Sequence, residues 1–136
     1  MEKNPTWLLV VASLIRDAAG RMLLQQGLPG KPHAGQWEFP GGKVESEENP
    51  RFALCREVDE ELGLTLNSSV MTPVGFADEP GHGTRPAIVL ILYACPDWAG
   101  EPEAREGQEW GWFTPAEAAA LQMPPMDRAL LQEVLG

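Results

Sequence analysis

The sequence is poor in basic residues. It has 10 Lys and Arg against 20 Asp and Glu, which gives a formal net charge of −10 at neutral pH. Proteins that bind nucleic acid or anionic membranes through charge present basic surfaces, so this balance excludes a broad electrostatic attraction to either. We therefore expect no direct nucleic acid binding and no membrane partner, and a polyanionic ligand would have to be bound through a cation.

Long apolar runs and metal-type cysteine pairs are also absent. No apolar run approaches the roughly 20 residues that span a bilayer. Residues 1–6 lead directly into an apolar stretch, without the basic start and cleavage site of a signal peptide. Cys55 and Cys95 are far apart and match no metal-ligand spacing, which favours small buried side chains in a reducing compartment. These features predict a cytoplasmic protein.

The chain is long enough for one hydrophobic core, and we take residues 1–136 as a single domain. Apolar and β-prone runs separated by turn residues predict strands at 7–15, 22–24, 37–39, 70–78, 87–95 and 110–113. The first two runs are predicted to form a hairpin, and 27–36 and 40–48 are predicted loops. Helices are expected at 50–62, 115–121 and 127–135. This pattern predicts an α/β fold with a mixed sheet between helical layers.

The helix at 50–62 has signals at both ends. Asn49 is a favourable N-cap, Pro50 suits the first helical position, and Gly63 can adopt the left-handed conformation that ends a helix. Apolar residues at i, i+4 and i+8 form its core-facing stripe: Leu54, Val58 and Leu62.

Three carboxylates lie on one face of this helix, because Glu57, Glu60 and Glu61 stand at i, i+3 and i+4. Such like-charged pairs cost about 0.2–0.5 kcal/mol each. Acidic residues in the last turn cost roughly 0.3–1 kcal/mol more through the helix dipole. A solvated acidic face is one interpretation of the cluster. A bound hard cation such as Mg²⁺, which prefers oxygen ligands, is the other.

The surrounding pattern favours the cation. Residues 42–64 read GKVESEENPRFALCREVDEELGL, and this segment resembles the Nudix box at all nine defined positions: Gly42, Glu48, Arg56, Glu57, Val58, Glu60, Glu61, Gly63 and Leu64. The flanking segment WEFPGGK at 37–43 is similar to the MutT branch of that family. The similarity in layout extends from the first strand to the last helix.

The resemblance implies a Nudix α/β/α sandwich and a metal-dependent hydrolase of nucleoside triphosphates. By this resemblance the metal is Mg²⁺, or Mn²⁺ in its place, and its expected ligands are Gly41 through its carbonyl, Glu57, Glu60, Glu61 and Glu106. Water would attack the β-phosphorus and release pyrophosphate, which agrees with the need of phosphoryl transfer for metals that neutralise charge. The general base is expected to be Glu57 or Glu106.

Other residues of the box receive supporting roles from the same resemblance. Arg56 is expected to orient the carboxylates through a charge-assisted hydrogen bond, with Glu48 as its partner. Gly42, Glu48 and Gly63 are expected to be structural.

The chain departs from MutT-like proteins at the end of the second strand, where these often carry a phosphate-binding arginine. Gln25 and Gln26 occupy this region, so Lys31, His33 or Lys43 is expected to take over the phosphate, unless these side chains are merely solvated. Arg85 can stack its guanidinium on the base.

A second departure is Asp127, which stands where MutT-like enzymes for oxidised dGTP tend to have Asn. An ionised Asp only accepts hydrogen bonds, so it suits a guanine edge with N1–H and N2–H₂ or the N4 amino group of cytosine. 8-Oxo-dGTP, removed to sanitise the nucleotide pool, is the leading substrate, and CTP, dCTP or a modified pyrimidine triphosphate is the alternative. The competing interpretation is that Asp127 only caps the last helix.

Two broader alternatives remain at this level. The fold can serve as a non-catalytic ligand-binding module, but such a module is expected to have a damaged box, and this box is intact. Sugar nucleotides, coenzyme A and dinucleoside polyphosphates are further substrates of the family, and the sequence has no added motif that indicates them.

Overall fold

A mixed four-stranded sheet forms the centre of the fold in the computed structural model, which describes residues 7–136. The signal-peptide expectation for residues 1–6 lies outside the described residues. The strands are β1 (Trp7–Leu14), β2 (Met22–Gln26), β3 (Trp37–Glu38), β4 (Gly41–Lys43), β5 (Thr65–Leu66), β6 (Thr72–Glu79), β7 (Ala87–Ala94), β8 (Trp98–Ala99) and β9 (Trp110–Phe113). The helices are α1 (Pro50–Leu62), α2 (Pro115–Ala119) and α3 (Pro125–Leu135), with a 3₁₀ turn at Ser68–Val70.

The central sheet has the strand order β4-β1-β7-β6. β1 and β7 run parallel over eight paired residues, and β4 and β6 flank them antiparallel. Both central strands are almost entirely apolar because each is covered on both faces. Side chains of β1 alternate between two cores, with Val11 on the α1 side and Ala12 on the α3 side. The predicted mixed sheet between helical layers is confirmed.

The predicted hairpin between the first two strands is present only as a short antiparallel turn, in which the backbone N–H groups of Asp17 and Leu23 donate to the carbonyls of Arg21 and Ile15, and β1 and β2 themselves do not pair. The chain does turn sharply between residues 16 and 22, where Arg16 and Met22 form an isolated bridge. β2 then leaves β1 and pairs with β3 and β9 in a separate antiparallel sheet of order β3-β2-β9. A strand has only two hydrogen-bonding edges, and those of β1 are already occupied by β4 and β7.

The predicted loop at 40–48 contains a strand, β4. It pairs with β1 through the register Ala12 to Gly41, Val11 to Gly42 and Val10 to Lys43. A Cβ at position 41 would overlap the carbonyl oxygen of Val11, so only glycine allows this close approach. Glycines have low strand propensity, which is why the sequence pattern indicated a loop.

The helix predicted at 50–62 is confirmed with both ends. The side chain of Asn49 accepts hydrogen bonds from the backbone N–H of Arg51 and Phe52, and Gly63 ends the helix with φ 72°. The stripe Leu54, Val58 and Leu62 is fully buried against the sheet.

The last helix begins earlier than predicted, at Pro125 rather than Asp127, and its N-cap is Pro124. Asp127 therefore lies inside the first turn and is not the cap. Its carboxylate accepts a hydrogen bond from the backbone N–H of Phe39 at 3.0 Å, which connects α3 to the segment between β3 and β4. α2 begins as predicted, with a capping box formed by Thr114 and Glu117, and ends two residues early, at Ala119.

Both cysteines are free thiols, with Cys95 buried and Cys55 half-buried. Among residues 7–136 no helix has the length and apolar character needed to cross a bilayer.

Candidate functional site

A cleft of about 310 Å³ opens where the C-terminal part of α1 meets β2, the 27–36 loop and the loop before β9. Four carboxylates line it: Glu38, Glu57, Glu61 and Glu106. Two glutamine side chains, Gln25 and Gln108, also line it, and Lys31 and His33 come from the 27–36 loop. Two members of the predicted acidic cluster and the distant Glu106 are thus brought together.

Arg56 connects this cleft to the preceding loop. Its Nε and Nη2 donate to the two carboxylate oxygens of Glu48 at 2.6 and 2.9 Å, and Nη1 donates to Oε1 of Glu57 at 2.8 Å. The predicted contact between Arg56 and Glu48 is present. The paired guanidinium lowers the pKa of Glu48 to about 2, because its hydrogen bonds and charge favour the ionised carboxylate. The arginine therefore holds the loop, the helix and Glu57 in one arrangement.

Glu60 has a different position from its two neighbours. Its side chain is 54% exposed, and its carboxylate lies 3.4 Å from Nη1 of Arg56, outside the residues that line the cleft. Its acidic group therefore lies at the edge of the site rather than within it.

Gly42 brings the backbone of β4 against Glu57. A Cβ on Gly42 would overlap the carboxylate of Glu57, so the absence of a side chain leaves room for that carboxylate beside the strand. Gly63 has a comparable role at the other end of α1, where an added Cβ would lie 2.8 Å from the guanidinium of Arg105. The glycines expected to be structural are thus packed against charged groups of the site.

Glu61 is the most deeply buried of the helix carboxylates, with 8% of the residue exposed. Its Oε1 accepts a hydrogen bond from Nε2 of Gln25 at 2.8 Å. Burial raises the pKa of Glu61 well above its usual range, and the nearby Glu57 and Glu106 raise it further, whereas the Gln25 hydrogen bond opposes the shift. The NH₂ group of Gln25 is thus bonded to Glu61.

Glu106 is carried by a loop that satisfies the C-terminal carbonyls of α1. The backbone N–H of Glu103 donates to the carbonyl of Leu62, and the backbone N–H of Arg105 donates to that of Glu61. Nη1 of Arg105 donates to the carbonyl of Asp59 at 3.1 Å. Since α1 has no basic residue in its last turn, this loop supplies the donors that the helix end lacks.

The donor set fits a hard divalent cation. Within the described residues 7–136, no three His, Cys, Asp or Glu side chains converge as metal ligands, and Glu57 and Glu61 are hydrogen-bonded to Arg56 and Gln25. However, the cleft offers carboxyl oxygens without thiols, and it gathers four carboxyl groups beside only one lysine. Oxygen donors and excess negative charge are what Mg²⁺ requires. A cation would also relieve the repulsion that raises the pKa of Glu61.

A second cleft, of about 160 Å³, adjoins the first through Glu38, which lines both. Asp127 and Phe39 lie in it beside Val10 and Leu90 of the sheet. Burial raises the pKa of Asp127 to about 6 and that of Glu38 to about 7, with Asp127 adding to the shift of Glu38. An apolar floor with one buried and one half-buried carboxyl suits a flat ligand that carries N–H groups.

Lys43 and Arg85 line a third cleft, of about 210 Å³, together with His82. Pro32 is shared between this cleft and the first, so both open near the 27–36 loop. Neither cation lies among the carboxylates, whereas Lys31 and His33 do. The structure therefore divides the predicted cations into two groups.

Sequence reasoning missed Glu38, Gln25 and Gln108 as members of the site. Glu38 is the one polar residue in an otherwise apolar triplet, Trp37 to Phe39, and Gln108 follows Glu106 by two residues. These sequence positions only weakly indicate membership of the site. The three residues come near α1 only because β2 pairs with β3 and β9.

Comparisons with known proteins agree with this geometry. The family profile described as NUDIX domain matches residues 6–134. The 8-oxo-dGTP diphosphatase of Haemophilus influenzae is 38% identical over 127 residues, which cover 93% of this chain and 90% of that protein. The CTP pyrophosphohydrolase of Escherichia coli is 37% identical over 123 residues, covering 90% of this chain and 87% of that one. A crystal structure of a MutT NUDIX hydrolase from Burkholderia pseudomallei has a TM-score of 0.83 and 30% identity, with 94% and 98% coverage.

The buried carboxyls predict an unusual dependence of stability on pH. The pKa values of Glu38, Glu61 and Asp127 are raised in the folded chain, so the folded state binds these protons more tightly and loses stability as pH rises through those values. The contribution of Glu48 has the opposite sign and is lost only as pH falls below about 4 toward about 2.

In EDTA we therefore expect thermal unfolding at pH 5.5 to occur roughly 3 °C or more above that at pH 8. Adding Mg²⁺ at pH 8 should raise the unfolding temperature, and Glu61→Gln should reduce the difference between the two pH values. Differential scanning calorimetry measures both. An unfolding temperature that rises from pH 5.5 to pH 8 in EDTA would contradict this account of the cleft.

Proposed function

This chain belongs to the Nudix family and is a MutT-like nucleotide pyrophosphohydrolase, and from this premise we propose that it hydrolyses 8-oxo-dGTP with Mg²⁺ to the monophosphate and pyrophosphate. The observation that supports it best is the cleft of four carboxylates, linked to the box by Arg56 and adjoining the cleft of Asp127. The proposed enzyme acts on free nucleotides in the cytoplasm and removes an oxidised precursor from the pool.

The proposed metal ligands are Glu57, Glu61 and Glu106 within the cleft, the carbonyl of Gly41 on β4, and Glu60 from its edge. When bound, Mg²⁺ would neutralise charge on the phosphate oxygens and position the attacking water. Lys31 and His33, which line the cleft, fit a hydrated, charged substrate group rather than an apolar one.

The residues of this chain have separate tasks in the proposed reaction. Arg56 keeps one oxygen of Glu57 occupied, so Glu57 is suited to hold its position rather than to take up a proton. Glu106 also lines the cleft, on a loop attached to the end of α1, and it is our candidate for the group that accepts the proton of the attacking water. Because water attacks the β-phosphorus, the bond that breaks lies between the β-phosphorus and the oxygen joining it to the α-phosphorus.

We propose substrate contacts for the basic side chains according to the cleft that each one lines. Lys31 and His33 face the carboxylate cleft and are placed to hold phosphate oxygens, since Gln25 is bonded to Glu61. Lys43 and Arg85 line the third cleft, where Arg85 is available to stack on a base or to pair with phosphate.

Asp127 is proposed to bind the base. One of its oxygens accepts from Phe39, and the other is available to accept from N1–H or N2–H₂ of an oxidised guanine. The N4 amino group of cytosine offers a donor as well. CTP or dCTP is therefore the second candidate substrate, and it is supported by the 37% identity to the Escherichia coli CTP pyrophosphohydrolase.

The proposal is tested by incubating the protein with 8-oxo-dGTP, dGTP, CTP and dCTP, with Mg²⁺ or EDTA, and separating the products by ion-exchange chromatography. We expect 8-oxo-dGTP to have the highest kcat/KM and to yield the monophosphate and pyrophosphate only with Mg²⁺. A preference for CTP would select the alternative. Orthophosphate as the first product would contradict the proposed position of the β-phosphorus, and a complete lack of turnover would favour a binding module.

Glu57→Gln and Glu61→Gln are expected to lower kcat by at least about 100-fold, because each removes a charged ligand from the proposed metal site. Since these carboxylates repel one another, both variants in EDTA should unfold at a temperature no lower than the unchanged protein. Glu101→Gln, on the exposed loop after β8, is the matched control and should keep full activity. Near-normal turnover of both site variants would refute the metal assignment.

Asp127→Asn separates base binding from the structural hydrogen bond. The amide oxygen can still accept from Phe39, while its NH₂ group replaces an acceptor with a donor toward the base. We expect kcat/KM for the preferred nucleotide to fall about 10- to 100-fold, and that for non-preferred nucleotides to change little.

Asp127→Ala is the comparison variant and should in addition destabilise the fold by about 1–3 kcal/mol, because it leaves the buried N–H of Phe39 without its acceptor. Equal losses for all nucleotides with Asp127→Asn would mean that the base is bound elsewhere.

A further inference from the structure

We propose that Gln25 and Gln108 are positioning residues, which form a buried chain of hydrogen bonds that holds the carboxylate of Glu61 and the backbone of Glu106 in a fixed relation. The inference rests on the proposed function in one respect, namely that these two glutamates bind the metal. The hydrogen bonds themselves are part of the fold and can be tested independently.

The chain of hydrogen bonds begins at the loop. The backbone N–H of Glu106 donates to Oε1 of Gln108 at 3.1 Å. Nε2 of Gln108 donates to two oxygens, the backbone carbonyl of Glu61 at 2.8 Å and Oε1 of Gln25 at 3.0 Å. Nε2 of Gln25 then donates to Oε1 of Glu61 at 2.8 Å. Both glutamines are only 6% exposed.

Two backbone groups determine the direction of every bond in this chain. A peptide N–H only donates and a peptide carbonyl only accepts, so Gln108 must turn its oxygen toward Glu106 and its NH₂ toward Glu61. That NH₂ group therefore also faces the oxygen of Gln25. The NH₂ of Gln25 is then left to face the carboxylate of Glu61, where a donor favours the ionised form that binds a metal.

This arrangement requires an amide at position 25. The residue there must accept from Gln108 and donate to Glu61 at once, and an arginine, which has donors only, cannot accept. The glutamine that takes the place of the MutT-type arginine is therefore matched to Gln108. Among residues 7–136 no buried side-chain nitrogen or oxygen lacks a hydrogen-bond partner, so the chain is complete within the protein.

The three elements joined here are distant in the sequence. Gln25 lies at the end region of β2, Glu61 in the last turn of α1, and Gln108 just before β9. Glu106 itself is exposed at the surface of its loop, and its backbone N–H donates to the buried side chain of Gln108. Loss of this link would let the loop carboxylate move relative to Glu61 without unfolding the sheet.

The test uses Gln25→Met and Gln108→Met, which keep the side-chain length and remove the hydrogen bonds, with Gln132→Met on the exposed face of α3 as the matched control. We expect both site variants to lower kcat about 10- to 100-fold with KM changed less than about threefold. Mn²⁺ affinity without nucleotide, measured by isothermal titration calorimetry, should weaken about tenfold. Because the two residues act as one unit, the double variant should lose little more than either single variant.

A measurement on the unchanged protein keeps the proposal testable if a variant fails to fold. By hydrogen exchange followed by NMR, the amide of Glu106 should exchange at least about tenfold more slowly than that of Ala104, an exposed residue of the same loop. Equal exchange rates would overturn the proposal.

Variants that unfold more easily but keep normal kcat and Mn²⁺ affinity would also overturn it, since the glutamines would then be purely structural. If the unchanged protein neither hydrolyses nucleotides nor binds Mn²⁺ while Glu106 is protected, the proposed function fails and the hydrogen-bonded chain stands.

Discussion

The mutual repulsion of carboxylates at the C-terminal end of α1 is the constraint on which the rest of the site depends. Glu57 and Glu61 lie one helical turn apart, and Glu38 and Glu106 approach them from two other segments. The dipole of the helix adds to the cost, because its last turn disfavours negative charge. Such a cluster is stable only where the surrounding groups supply hydrogen-bond donors or positive charge in compensation.

The fold supplies this compensation from two sides. On one side Arg56 bonds to Glu48 and Glu57 together and thereby connects the loop after β4 to the helix. On the other side the carboxylate of Glu61 is bonded to a neutral amide, Gln25, and the helix end is capped by the loop that carries Glu106. The same contacts that stabilise the acidic helix end thus bring the remaining carboxylate to the cleft, which couples the assembly of the site to the packing of the fold.

The local features of the fold were predictable from the sequence. The helix at Pro50–Leu62 has the predicted bounds because its cap, its first-turn proline and its terminal glycine all act within a few residues. The strand at Trp110–Phe113 also has the predicted bounds. The hairpin is limited to its turn and β4 was missed, because strand pairing depends on which other strands compete for an edge. No local pattern contains that information.

The sequence by itself determined the family, the helix with its acidic face and the set of candidate ligands, since a box of defined spacing acts through short-range helix geometry. Only the tertiary structure decided which carboxylates share the cleft, leaving Glu60 at its edge and adding Glu38. It also decided that Asp127 lies within the first turn of α3 and bonds to Phe39, and that Gln25 is bonded to Glu61. The physical reason is that these contacts join residues 36 to 88 positions apart, and only the packing of the sheets and helices sets such distances.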